Sequence, residues 1–250
     1  MFDPRPNAAA LNTDKQAGAA LLILLSIVSL AIASFLLTGI SRVQHRLDSP
    51  PHNMSVLAQA KSALVAYSRL SDPDLTASTG LNLRYLPCPD LDGDGLEETP
   101  CGASSAEGWL PWMTLGLAPL RDASSSCLRY FVSSSYKQGA SVVPSKVPFL
   151  PAGDYTLRDS NRVLSTGVIA VVVAPGAVLD GQVRGYSMSG ATECGSSSLT
   201  SAVNLAVNYM DTIHGVDNAI APVFVTSPRQ VEASIQFNDN LIIIISGDLL

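Results

Sequence analysis

Residues 86–101 read LPCPDLDGDGLEETPC and hold the densest chemistry in the chain. Asp90, Asp92 and Asp94 alternate, and Gly95 follows directly. This is the first half of a calcium loop, in which carboxylates at positions 1, 3 and 5 converge and a glycine at 6 permits the sharp turn. Position 12 falls on Cys101 where such a loop has a bidentate Glu, so Glu97 or Glu98 would complete a tighter loop. Three carboxylates this close repel one another without a cation, and calcium is therefore the expected cofactor. The alternative is an exposed acidic turn, since Asp-Gly pairs are common in hairpins.

Cys88 and Cys101 bracket the acidic run. A bridge between them would close the loop, hold the carboxylates together and contribute about 3 kcal/mol in the chain-entropy model. Cys127 and Cys194 would then pair by elimination, and the sequence leaves the other connectivities open. None of the four is in a C-x-x-C pair and no histidine lies near them, which speaks against zinc and for disulfides in an oxidising compartment.

A hydrolase has weaker support. Ser187 in GYSMSG lacks the second glycine of a nucleophile elbow. His214 lies at the end of an expected helix, flanked by Asp211 and Asp217, where it can oppose the helix dipole. Trp109 and Trp112 could line a carbohydrate or peptide surface or fill a core. No enzymatic activity is expected.

These groups need a scaffold. The chain is 47% hydrophobic and 14% charged with a net charge of −6, enough apolar residues for one core and the wrong sign for nucleic acid. Apolar runs at 128–133, 167–175, 222–227 and 241–246 are rich in Val and Ile and predict strands. A helix is expected from Leu199 to Ile213, with apolar residues stepping by four and three and Gly215 closing it. Another is expected over 54–70, where Leu57, Ala60, Leu64 and Tyr67 share a stripe.

Residues 17–41 contain no charge. Such a run exceeds the apolar core of a cleaved signal peptide and is long enough to cross a bilayer. Pro50 and Pro51 then interrupt a continuous helix. The expected class is α+β: a long N-terminal helix, part transmembrane and part amphipathic, kinked near Pro50, followed by a globular head with an antiparallel or mixed sheet. The divisions are 1–18, 19–41 (the span), 42–72 (the amphipathic continuation) and 73–250 (the head).

The edge of the apolar run, Lys15-Gln16-Ala17-Gly18 against Ala19-Ala20-Leu21-Leu22, resembles the class III signal of type IV prepilins and pseudopilins. The Cys-Pro-Asp segment, GWLPWMTLGL, LRYFVS and FNDNLIIIIS resemble the heads of pseudopilin-related proteins. The resemblance implies a pilin-like fold and a leader of residues 1–18. It implies cleavage after Gly18 by a prepilin peptidase and methylation of the new N-terminus at Ala19. It further implies other pilin or pseudopilin subunits as partners, in a type II secretion or type IV pilus-like machine. The location it implies is the bacterial inner membrane, single-pass, with the head in the periplasm. The family usually has Glu at the fifth mature position, and Ile23 there resembles minor, tip-located subunits. The competing readings are a membrane-anchored calcium-binding or adhesion module that does not assemble, and an anchored hydrolase.

Overall fold

The computed structural model describes residues 23–30, 50–70, 85–102, 104, 106–137, 152–160, 162–184, 194–195, 204–232 and 235–249. The chain divides into two units, one within 1–47 and one within 48–250.

In the first unit, residues 23–30 form a helix, α1, whose Ile23, Leu24, Leu25, Ile27 and Leu30 are all exposed. Residues 23–30 rise about 12 Å as a helix, well short of the roughly 30 Å of a hydrocarbon core. Among the described residues no helix is long and apolar enough to cross a membrane. This overturns the span expected over 19–41, and with it the single-pass inner-membrane placement with a periplasmic head. It also overturns the α+β class built on one long N-terminal helix kinked near Pro50. Instead α2 starts at Pro50 and runs to Leu70, 21 residues. Proline is tolerated in a first turn, where the missing amide has no intrahelical acceptor to lose.

The second unit is sheet-rich. Among the described residues it contains β1 (Ala106–Trp109), β2 (Arg129–Val132), β3 (Tyr155–Arg158), β4 (Val163–Val168), β5 (Ala170–Ala174) and β6 (Thr212–Ile213). These are followed by β7 (Val216–Asp217), β8 (Val223–Val225), β9 (Gln230–Glu232), β10 (Ile235–Phe237) and β11 (Asn240–Ile244). The main sheet has the order β1-β2-β5-β11 and is antiparallel throughout. A second sheet, β4-β3-β8, pairs β3 antiparallel with β4 and parallel with β8. β6–β7 and β9–β10 are antiparallel pairs.

Period-two alternation explains how the main sheet buries both faces. Tyr130, Val132, Ala170, Val172, Ala174 and Ile244 point to one side and pack with Leu57, Ala60 and Leu64 of α2. Phe131, Val171 and Val173 point to the other and pack with Tyr155, Leu157 and Phe224 of the second sheet. β5 is buried along its whole length, which is why its sequence is an unbroken apolar run and not an alternating one.

The helix expected from Leu199 to Ile213 does not form in its described part. Residues 206–208 make one 3-10 turn, and Thr212–Ile213 belong to β6. Ala206, Met210 and Ile213 of the expected apolar stripe are buried all the same, while Leu205 and Val207, off the stripe, are exposed. The carbonyls of Asn204 and Asn208 are taken by Arg129 and Arg184 at 3.0 and 2.8 Å, so long-range partners replace the helical ladder. Gly215 does not close a helix either. His214 and Gly215, at φ 52° and 73°, form the two-residue turn between β6 and β7, the backbone that a type I′ hairpin requires.

Candidate cation-binding loop

The acidic run is fastened from several sides. Asp90 bridges β1 through Trp109, donating its amide to the Trp109 carbonyl at 3.1 Å and accepting the Trp109 amide at 2.7 Å. The Gly95 carbonyl accepts the amides of Met113 and Thr114 at 2.8 and 3.2 Å. The structure forms the disulfides Cys88–Cys101 and Cys127–Cys194. The first closes the loop at its ends. The second reaches its middle, because the Cys194 amide donates to the Gly93 carbonyl at 3.1 Å. Lys137 Nζ, from beyond β2, donates to the carbonyls of Cys101 and Gly102.

Two glycines make this closeness possible. Gly93, at φ 84°, is so near Cys194 that a Cβ would lie 1.6 Å from its carbonyl oxygen. Gly95, at φ 91°, lies beneath the indole of Trp112, 2.4 Å from where a Cβ would stand. Both need a left-handed backbone and the absence of a side chain.

Within this frame one ligand atom each from Asp90, Asp92, Asp94 and Glu98 falls within 4.8 Å of the others. Asp90 is fully buried, and its two oxygens accept the amides of Gly93 and Gly95 at 2.6 and 2.8 Å. Asp92 accepts the Asp94 amide at 3.3 Å, Asp94 the Leu96 amide at 2.7 Å, and Glu98 the Leu91 amide at 2.6 Å. Each oxygen keeps a second lone pair for an incoming cation. Burial pushes the Asp90 carboxyl up to about 6, and the charges of Asp94 and Asp92 add to the shift against its amide hydrogen bonds. Burial pushes Glu98 up to about 7, with Asp90 and Asp92 again contributing. The cluster carries mutual repulsion that a divalent ion would relieve. All four donors are hard carboxylate oxygens, the set that calcium prefers.

Glu97 stands apart from them. Its Oε1 accepts from the Tyr67 hydroxyl of α2 at 3.0 Å and its Oε2 from the Cys88 amide at 2.8 Å. The sequence offered Glu97 and Glu98 as equal candidates; the structure brings only Glu98 into the cluster.

The other candidates disperse. Gly18 and Ala19 lie outside the described residues, as does Ser187. His214 sits at an exposed turn, while Asp211 is buried and accepts from Gln182 and the Asn238 amide. Trp109 is a core residue packed edge-to-face on Tyr209 at 4.5 Å, with the buried Arg129 guanidinium 4.5 Å from its ring centroid.

A buried carboxyl pair escaped sequence reasoning. Asp239 Oδ2 accepts the Asp211 amide and the Asn218 side chain, both at 2.9 Å. Burial pushes Asp239 well up and Asp211 to about 6. The residues stand in unremarkable contexts 28 positions apart, and hydrogen bonds between their loops bring them together.

No protein-family model, curated protein or solved structure matches this chain.

Proposed function

We propose that this chain is an assembly subunit of the pilin-like kind, with a leader that a prepilin peptidase removes after Gly18. The observation that carries the reading is the docking of α2 on the main antiparallel sheet through Leu57, Ala60 and Leu64. In the family that the leader and the Cys-Pro-Asp segment resemble, the corresponding helix segment packs on a sheet in the same way. The role is mechanical. The helix is a spine, the sheet holds it rigid, and the stapled acidic loop is tied to both through Tyr67–Glu97 and Asp90–Trp109. No part of this role requires turnover. With Ile23 in place of the family's usual Glu, the subunit is a minor one, present in few copies beside a major subunit.

Coexpression with a prepilin peptidase tests it. Removal of residues 1–18 would lower the 26.2 kDa mass by about 2 kDa and leave N-methylated Ala19 at the N-terminus. An intact Met1 after exposure to an enzyme that processes a control prepilin overturns the reading.

A second reading is favoured by the convergence of Asp90, Asp92, Asp94 and Glu98: a calcium-dependent binding module. It requires that calcium raise the melting temperature, because a ligand bound only by the folded state stabilises it by mass action. Calcium binding without leader processing would favour this reading over assembly.

A further inference from the structure

The two edges of the main sheet are unlike. The outer edge of β1 is bridged at its Trp109 end by Asp90. Among the described residues no strand or isolated bridge pairs with the outer edge of β11. Natural sheets guard an open edge with lysine, proline, a bulge or an inward charge. β11 has none of these. It reads Asn-Leu-Ile-Ile-Ile, pairs with β5 in unbroken register from Asn240 to Ile244, and leaves Leu241, Ile242 and Ile243 partly exposed.

Beside this edge a groove of about 690 Å³ runs between α2 and β11. Its helical wall presents Ala58, Ser62 and Ala66, exposed small residues four apart that would let a second helix approach closely. The groove is also lined by Lys61 and Arg69 on the helix and by Asp248 just beyond the strand, and Lys61 pairs with Asp248 at 2.8 Å.

We infer that this edge is a self-association surface, on which a second copy of the chain adds its own β11 antiparallel and continues the sheet. The choice of occupant follows from the chemistry of the edge. A two-fold axis at Ile242 sets Leu241 against Ile243 of the copy and Ile242 against itself, so the central cross-strand pairs are apolar on apolar, with Asn240 against Ile244 at the two ends. A charged strand would find no counter-charge along β11. The same axis sets the small-residue flank of α2 against its equivalent. The contact is isologous and closes at two subunits. It does not depend on the pilin-like reading.

Sedimentation equilibrium of the full oxidised chain tests the surface. The expected mass is twice 26.2 kDa at micromolar concentration. Ala66→Glu and, separately, Ser62→Glu place like charges across the axis at exposed positions that the fold does not use. Each should raise the dissociation constant at least about tenfold with an unchanged circular dichroism spectrum. A wild-type chain that stays monomeric up to about 100 μM overturns the inference. So do variants that associate like wild type, which would place the contact elsewhere, the apolar residues 17–41 included.

Discussion

Glu97 accepts a hydrogen bond from the Tyr67 hydroxyl at 3.0 Å, while its neighbour Glu98 turns into the carboxylate cluster. Adjacent acids therefore have different work, one joining loop to helix and the other offering an oxygen to a cation. Glu97→Ala should lower stability by about 2–3 kcal/mol, since the Tyr67 hydroxyl and the Cys88 amide both lose an acceptor. It should leave a calcium-induced rise in melting temperature in place. Glu98→Gln should abolish that rise at little cost in stability. Thermal melts with calcium and with chelator separate the two, and an equal calcium response in both variants would contradict the assignment.

Glycine substitutions should sort by what a Cβ would meet. Gly93→Ala drives a methyl into the Cys194 carbonyl and should cost about 3 kcal/mol or more. Gly102 has a similar φ of 75° but open space around it, so Gly102→Ala should cost only the backbone term, about 1 kcal/mol. Denaturant melts of both variants check the ranking, which reverses if Cys194 does not press on the loop.

The two disulfides should differ in weight. Cys88–Cys101 spans 13 residues and Cys127–Cys194 spans 67. Chain entropy alone then gives about 3 kcal/mol for the first and about 4.4 kcal/mol for the second. Replacing each pair with alanine and measuring unfolding in guanidinium should show the longer closure as the costlier loss. Losing Cys127–Cys194 should also blunt any calcium response, because the Cys194 amide holds Gly93.

Acidity should stabilise the fold through Asp211 and Asp239. Both carboxyls bind a proton more tightly folded than unfolded, because burial raises them, Asp211 to about 6 and Asp239 further. Their contribution is therefore fullest below about pH 4 and is lost as pH rises through about 6 and beyond. Arg184, which acts on both, opposes the shift without reversing it. Asp239→Asn should flatten the fall in stability between about pH 4 and 7, read from denaturant midpoints at stepped pH. An unchanged slope would mean that the pair ionises freely.

What the sequence made legible was whatever a short window contains. The apolar run at 167–175 predicted a strand, and β5 lies within it. The stripe Leu57, Ala60, Leu64 marked the face that α2 buries. The region after Leu199 failed for the opposite reason. Its apolar spacing is helical, but Arg129 and Arg184 arrive from distant positions to take the carbonyls of Asn204 and Asn208. The loop shows both outcomes within two residues. Carboxylate spacing pointed to the cluster, yet which of Glu97 and Glu98 joins it depends on Tyr67, 30 positions before Glu97.

β5 lies between β2 and β11 in the plane of the sheet and between α2 and the second sheet across it. Every neighbour that shields it comes from a different stretch of chain, from Leu57 near one end to Ile244 near the other. Because β2 and β11 hold its backbone from both sides, its amides should exchange with deuterium only when the whole unit opens. Such a body gives way as one piece under load, with no soft layer to peel first.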